Sequence, residues 1–240
     1  MESFINFAHR GASGYCPENT MVAFHKAIEL GANGIETDVQ MCKDGHLVLI
    51  HDEGLQRTTG KQGFVKDFTL HEIQQLDAGS WYREEFRGER IPTLEELLQL
   101  AKDHGIYLNL ELKNGIIQYP QLEERAAQLI RQFGLSEQVI ISSFHHYSLV
   151  QMKRVAPEIA TAVLYSEGLF EPWQYAKQIG ASALHPIRYA VTKEWVEQAT
   201  SAGVRYHPFT VNNEEEMKRM LSFGVSGIIT DYPDKLAALL

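Results

Sequence analysis

Residues 34–52 carry the side chains most able to do chemistry in this chain. The sequence GIETDVQMCKDGHLVLIHD places Glu36 and Asp38 two positions apart in a run typical of a β-strand. Side chains alternate between the two faces of a strand, so both carboxylates point to one side. Facing carboxylates repel each other unless a cation lies between them. The pattern therefore predicts a cation site, and His51 at the end of the segment adds a group able to move protons.

Composition places the chain among ordinary globular proteins. It has 240 residues, of which 44% are hydrophobic, and a formal net charge of −9. This charge argues against a nucleic-acid partner, and no apolar run approaches the roughly 18 residues of a membrane span. Cys16 and Cys42 form no disulfide framework, and the first residues lack the pattern of a signal peptide. We expect a cytoplasmic protein with one domain over residues 1–240.

The chain opens with a strand–helix–strand unit. A strand is predicted over residues 4–8, and a helix over residues 20–30 with Asn19 as its N-cap. The strand that carries Glu36 and Asp38 follows. The pair Asp44-Gly45 then predicts a tight turn into a second extended run, residues 46–50.

The same alternation continues to the end of the chain. Further strands are predicted over residues 107–112, 138–142, 160–165, 183–184, 204–210 and 227–230. Helices are predicted over residues 93–104, 121–133, 147–155, 172–179, 193–202, 214–223 and 234–240, the first of them with a capping box formed by Thr93 and Glu96. Residues 52–92 show no clear period, which favours an excursion over a site.

Eight strand–helix units in about 240 residues fit an α/β fold, the (β/α)₈ barrel, with a doubly wound open sheet as the alternative. A barrel places its chemistry at the carboxyl ends of its strands. The polar residues of this chain fall there: His9, Glu36, Asp38, Glu111, Lys113, Ser143, His185, Asn212 and Asp231, with Phe144 beside Ser143. This convergence favours the barrel.

Three of these residues form a candidate metal site. Glu36, Asp38 and Glu111 offer hard oxygen ligands, which suit Mg²⁺, Ca²⁺ or Mn²⁺ better than zinc. The alternative is that they are solvated charges on the rim of the barrel. Arg10 and Lys113 would leave the metal-loaded site positive, which suits a phosphate group. Either of them alone could instead form a structural ion pair.

Two of the ten histidines are candidates for proton transfer. His9 and His51 flank the predicted metal site, so one could accept a proton and the other donate one. The remaining histidines are interpreted as surface or packing residues, except His185 at its strand end. Cys16 has no base tied to it by sequence and is not interpreted as a nucleophile. Candidates for an apolar wall around a substrate are Trp81, Tyr82, Phe144 and Phe209.

In combination and order, these motifs resemble those of the glycerophosphodiester phosphodiesterase family along nearly the whole chain. The matching segments are HRGASGYCPENTMVAF at residues 9–24, residues 34–60, IPTLEELL at 91–98, LNLELK at 108–113, SSF at 142–144 and FTVN at 209–212. The resemblance implies a TIM barrel with a small insertion after its second strand, at about residues 52–92. One departure is Phe209, which stands where the family motif usually has Trp.

The resemblance also implies an activity and roles for residues. The activity is metal-dependent hydrolysis of glycerophosphodiesters, such as glycerophosphocholine or glycerophosphoethanolamine, to sn-glycerol 3-phosphate and an alcohol. Its implied assignments are His9 and His51 as the acid and base, Glu36, Asp38 and Glu111 as ligands of one divalent ion, and Arg10 and Lys113 as phosphate contacts. We add Phe144 and His185, from their strand ends, as substrate contacts.

Other functions stay open at this point. A lysophospholipase-D-like enzyme would use the same site with an apolar groove for the acyl chain. A barrel that binds phosphodiesters without catalysis is a second alternative, although both histidines are in place. The predicted partner is a small molecule, and the sequence fits a monomer or a homodimer.

Overall fold

The computed structural model describes residues 4–240, so that residues 1–3 of the predicted domain lie outside it. The strands of this part of the chain are β1 (Ile5–His9), β2 (Gly34–Met41), β3 (Leu47–Leu49), β4 (Tyr107–Leu112), β5 (Val139–Ser143), β6 (Ala160–Tyr165), β7 (Ala183–Pro186), β8 (Arg205–Tyr206) and β9 (Gly227–Thr230).

All of these strands except β3 are parallel neighbours in one barrel sheet. Their order is β8-β7-β6-β5-β4-β2-β1-β9, and β3 pairs antiparallel with β2 alone. Single backbone hydrogen bonds bridge the two ends of the sheet: the Ser226 N–H donates to the Tyr206 carbonyl at 3.0 Å, and the Ile229 N–H to the Pro208 carbonyl at 3.0 Å. The barrel is therefore nearly closed, and the predicted (β/α)₈ fold is confirmed.

Helices alternate with the barrel strands on the outside. They are α1 (Met21–Glu29), α2 (Gln56–Thr59), α3 (Leu70–Ile73), α4 (Leu94–His104), α5 (Leu122–Phe133), α6 (His146–Val155), α7 (Pro172–Gln178), α8 (Lys193–Ser201), α9 (Glu214–Phe223) and α10 (Pro233–Ala237). The predicted capping box at the start of α4 is confirmed, because Thr93 and Glu96 each bond the other's backbone N–H.

Apolar residues fill both sides of the sheet. Inside the barrel, Phe7, Ile140 and Ile229 pack together with Ile5 and two alanines. A larger continuous core lies between the strands and the helices. Burial of this amount of apolar surface gives the barrel a stable frame, and it holds the carboxyl ends of the strands in fixed positions.

The insertion after β2 and β3 has its own small core. Two short 3₁₀ turns, Val65–Asp67 and Glu84–Phe86, accompany α2 and α3 there, although the sequence showed no period in this region. Val48 and Ile50 of the barrel side pack against buried apolar residues of the insertion. The Tyr82 hydroxyl also donates to the Gly14 carbonyl at 3.0 Å, which ties the insertion to the loop after β1.

Two local predictions were wrong. Helix α1 is capped by Thr20, whose hydroxyl accepts from the Ala23 N–H, and not by Asn19. Asn19 has a positive φ of 54°, and its side-chain Nδ2 donates to Asp38 Oδ2 at 2.9 Å. The strand predicted over residues 204–210 is regular only at Arg205–Tyr206, since Pro208 has no N–H to continue the ladder.

Candidate active site

Strand register brings the three predicted metal ligands together. In the parallel sheet, Asp38 of β2 is paired with Glu111 of β4, and Glu36 is paired with His9 of β1. Each of the three carboxylates offers an oxygen within 4.8 Å of the other two. They are almost fully buried, with 4% of Glu36, 1% of Asp38 and 9% of Glu111 exposed. A buried acidic triad is costly without a positive charge among its members.

The pKa values of these carboxyls reflect the same cost of burying three acidic groups together. Burial, reinforced by the charges of Asp38 and Glu111, raises the pKa of Glu36 to about 8. Burial and the Asp38 charge also raise the pKa of Glu111. Burial opposes the charge of Asp38 as well, but Arg10 and other cations nearby hold its pKa below the usual value. Asp38 is therefore the member of the triad that is held ionised by the protein itself.

The triad fits a hard divalent cation. Asp38 Oδ1 is buried and has no hydrogen bond to any residue of the described chain, 4–240. Lys113 Nζ lies 3.7 Å from that oxygen and 3.0 Å from Glu111 Oε1. An unsatisfied carboxylate oxygen facing two further carboxylates is a donor set that Mg²⁺ or Ca²⁺ can use. These residues could hold such an ion.

His9 is oriented by a residue from the opposite end of the chain. Its Nδ1–H donates to Asp231 Oδ1 at 2.6 Å, and Asn212 Nδ2 donates to the other oxygen of Asp231 at 2.6 Å. Although burial opposes protonation, the bond to Asp231 raises the pKa of His9. Nε2 of His9 is left for the cavity, 3.9 Å from Glu36 Oε2.

His51 has the same kind of support. Its Nδ1–H donates to Asp52 Oδ1 at 2.7 Å, and Arg57 Nε donates to Asp52 Oδ2 at 2.6 Å. Arg57 also donates to both oxygens of Glu18, at 2.7 and 3.0 Å. Glu18 in turn accepts from Arg10 Nη1 at 2.9 Å. The Arg57 guanidinium thus holds Asp52, which orients His51, and Glu18, which orients Arg10.

These groups surround one cavity of about 140 Å³ at the carboxyl end of the barrel. Its polar lining is formed by His9, Arg10, Glu36, His51, Asn109, Glu111 and Thr210. Its apolar lining is formed by Phe144, Leu164, Phe209 and Ile229. Candidate acid–base groups, two of the candidate metal ligands and an apolar wall therefore meet in one space, an arrangement that could support phosphoryl chemistry.

Comparison with known proteins agrees with this geometry. A family model described as the glycerophosphoryl diester phosphodiesterase family matches residues 9–235. The chain belongs to this family. It is 51% identical over 233 residues to a glycerophosphodiester phosphodiesterase of Caldanaerobacter subterraneus, covering 97% of this chain and 96% of that protein. A glycerophosphodiester phosphodiesterase of Bacillus altitudinis is 46% identical, with 95% of each chain covered.

Solved structures show the same fold. A phosphodiesterase of Oleispira antarctica in complex with the product sn-glycerol-3-phosphate superimposes with a TM-score of 0.90 at 33% identity, covering 98% of this chain and 95% of that one. A glycerophosphodiester phosphodiesterase of Agrobacterium tumefaciens gives a TM-score of 0.86 at 27% identity, covering 98% and 99%. The predictions of the family and of a phosphodiesterase are confirmed.

His185 takes a different place in this family member from the one we expected. It is fully buried and is not among the residues that line the cavity. Its Nδ1 lies 3.3 Å from Asn109 Nδ2, and its Nε2 lies 2.9 Å from His207 Nδ1. Burial lowers the pKa of His185 to about 3, and it lowers that of His207 as well. The pair is thus neutral and supports Asn109 from below.

The predicted apolar wall is divided between two places. Phe144 and Phe209 line the cavity, with ring centroids 6.0 Å apart. Trp81 is stacked near Arg57 in the insertion, at 5.8 Å, and Tyr82 bonds the loop after β1. Cys16 is buried and burial raises the pKa of its thiol, which does not favour a nucleophile.

Several residues that contact the candidate catalytic side chains had no role in the sequence interpretation. Asp231 and Asn212 were noted only as strand-end residues, and Asp52, Arg57 and Glu18 were not considered at all. The dipeptide His51-Asp52 was the one available signal. A carboxylate next to a candidate catalytic histidine is a frequent partner for its ring nitrogen. The partners of His9 come from segments more than 200 residues away, which no local pattern shows.

No helix among residues 4–240 is long and apolar enough to cross a membrane. The cytoplasmic location stays a prediction.

Proposed function

We propose that this protein hydrolyses glycerophosphodiesters, such as glycerophosphocholine and glycerophosphoethanolamine, to sn-glycerol 3-phosphate and an alcohol in a metal-dependent reaction. The observation that carries the proposal is the cavity that His9 and His51, each bonded to its own carboxylate, line together with Glu36 and Glu111. Asp38 is buried beside these two carboxylates. The similarity to the Oleispira antarctica phosphodiesterase, which was solved with sn-glycerol-3-phosphate, supports the product.

Glu36, Asp38 and Glu111 are proposed to hold one divalent ion, Mg²⁺, Ca²⁺ or Mn²⁺. When bound, such an ion would neutralise part of the triad and stabilise negative charge on the phosphoryl oxygens. Arg10 and Lys113 lie beside the same carboxylates and are the cations placed to contact those oxygens. Their ion pairs with Glu18 and Glu111 fix both positions before a substrate arrives.

His9 and His51 are proposed as the acid–base pair. Because both donate Nδ1–H to an aspartate, both present Nε2 to the cavity. One would accept the proton of the attacking hydroxyl, from water or from the glycerol 2-hydroxyl, while the other protonates the departing alcohol. Asp231 and Asp52 would stabilise whichever imidazolium forms. Phe144 is proposed to contact the organic part of the substrate, and a direct contact by His185 would require access from a buried position.

The experiment that tests this proposal measures release of sn-glycerol 3-phosphate from glycerophosphocholine with Mg²⁺, Ca²⁺, Mn²⁺ or EDTA. We expect release with at least one of these ions and none with EDTA. His51→Ala should reduce kcat at least about 100-fold, the contribution typical of an acid–base group. Glu36→Ala should abolish turnover, because it removes a proposed metal ligand. Near-normal activity of either variant would contradict its assigned role. Turnover of lysophospholipids alone would instead favour the lysophospholipase-D-like alternative.

A further inference from the structure

A second groove adjoins the catalytic cavity. It measures about 160 Å³, close to the 140 Å³ of the cavity, and the two share Glu111 and Phe144 in their linings. A phosphodiester has two organic arms that leave the phosphorus in different directions. Two chambers of similar size that meet beside a candidate metal ligand provide one space for each arm.

The cavity is the chamber suited to glycerol. Asn109 lines it, and Asn109 Oδ1 is buried without a hydrogen-bond partner among the described residues, 4–240. A buried acceptor of this kind favours a ligand with hydroxyl donors. The second groove is then left for the alcohol that departs.

The second groove contains an unneutralised negative charge. Glu53 lines it, and its backbone is fixed because the Val65 N–H donates to the Glu53 carbonyl at 2.9 Å. Within residues 4–240, the partly buried carboxylate of Glu53 forms no ion pair and no hydrogen bond. Lys113, the lysine of this groove, is engaged by Glu111 at 3.0 Å.

An aromatic surface lies in the same groove. Phe144 is 48% exposed, although its edge-to-face contact with Phe209 covers part of the ring. An ammonium group near an aromatic face is attracted by the ring, and a carboxylate close by adds to that attraction. Uncharged or acidic alcohols gain neither contribution.

We propose that this groove selects alcohol head groups that carry a positive charge, with Glu53 as the residue that determines the preference. The inference rests on the proposed hydrolysis of glycerophosphodiesters and adds the class of head group. Choline and ethanolamine have the required chemistry, and their ammonium groups would lie between Glu53 and Phe144. A glycerol head group would bind there without the charge contribution.

The test compares kcat/KM for glycerophosphocholine with kcat/KM for glycerophosphoglycerol, whose head group is uncharged. We expect Glu53→Gln to lower the ratio of the two values about fivefold, the upper end for a partly exposed ion pair. Glu53→Asp keeps the charge and should retain most of the preference. Glu167→Gln removes an exposed carboxylate from the loop after β6, outside the groove, and should leave the ratio unchanged.

The outcomes separate the inference from the proposed function. If Glu53→Gln lowers both kcat/KM values equally, Glu53 acts through Lys113 or the fold and the inference is wrong. An unchanged ratio with both substrates still hydrolysed also overturns it and leaves the proposed function standing. If the wild type hydrolyses neither diester with any metal, the proposed function fails.

Discussion

Each candidate catalytic side chain is held by a charged neighbour. The bonds from His9 to Asp231 and from His51 to Asp52 select the same tautomer in both rings, with Nε2 toward the cavity. Asn212 in turn fixes Asp231, since its side-chain oxygen also accepts from the Asp231 N–H at 2.9 Å. This support removes rotational freedom from the histidines, so that little reorganisation is needed when a substrate binds.

The buried pair His185 and His207 should make stability depend on pH. Burial holds both pKa values below the usual 6.5, so the unfolded chain binds more protons in acid. Their contribution is present above pH 6.5 and is lost as pH falls. When pH is lowered from 7.5 to 5, we expect the free energy of unfolding to fall by about 2 kcal/mol for each of these two histidines.

Urea unfolding at these two pH values measures this effect. His207→Gln keeps an acceptor for the His185 Nε2–H but cannot titrate, so its loss of stability on acidification should be smaller by about 2 kcal/mol. His71→Gln, at an exposed position, is the matched control and should behave as the wild type. Equal acid sensitivity of His207→Gln and the wild type would contradict the prediction.

The insertion contributes to the site through α2. Arg57 lies on this short helix, and its guanidinium joins Asp52 and Glu18 across the entrance of the barrel. The insertion also packs on the sheet through its own apolar core. This element therefore holds Asp52 and Glu18 in place, although it supplies no predicted catalytic residue itself.

Replacement of Arg57 should lower activity without unfolding the protein. Arg57→Lys keeps the charge but loses the forked contact with both carboxylates, and we expect kcat to fall about tenfold.

Arg87→Lys is the matched control for this experiment. Arg87 also forms a two-point ion pair, with Glu84 in the same insertion, but both side chains are exposed. Its replacement should leave kcat unchanged. An Arg57→Lys enzyme with normal kcat would show that the contacts of Arg57 with Asp52 and Glu18 do not position the site.

The order of the strands in the barrel sheet creates the acidic triad. β1, β2 and β4 are neighbours in the sheet, so the carboxyl ends of these strands bring His9, Glu36, Asp38 and Glu111 to one edge. The stability of the closed fold offsets the repulsion among the carboxylates. A bound divalent cation should therefore stabilise the entire molecule and not a single loop.

Metal binding should raise Tm more at pH 8 than at pH 5. In the metal-free protein, burial raises the pKa of Glu36 to about 8, and the contribution of its protonated form is lost as pH rises through that value. A cation replaces the proton, so its stabilisation grows with pH. Thermal unfolding with EDTA or with Mg²⁺ or Ca²⁺, at both pH values, measures this difference.

Glu36→Gln is the informative variant for this experiment. It removes the titrating carboxyl and one proposed ligand, so its Tm should respond weakly to the metals at either pH. Comparison with and without metal at a fixed pH cancels the contributions of titrating groups that do not contact the metal. A metal-induced rise in Tm that is equal at pH 5 and pH 8 in the wild type would contradict the linkage.

The sequence by itself determined the repeating units, the candidate metal ligands and the family. Those features are local: the two-residue spacing of Glu36 and Asp38 places them on one strand face whatever surrounds the strand. The capping box at Thr93 and the turn before β3 are likewise set within a few residues. Boundaries were reliable where such local signals were strong, and less so at Asn19, where a distant carboxylate attracts the side chain that was expected to cap α1.

Only the tertiary structure decided which side chains support the site. His9 and Asp231 are separated by 222 positions, and Asn109 and His185 by 76, so their contacts exist only once the barrel has closed. The same closure buried His185 below the cavity, while its strand-end position alone had indicated a substrate contact. Strand ends specify the edge at which a residue lies, but the pleat and the packing of neighbouring strands decide whether its side chain faces the cavity or the core.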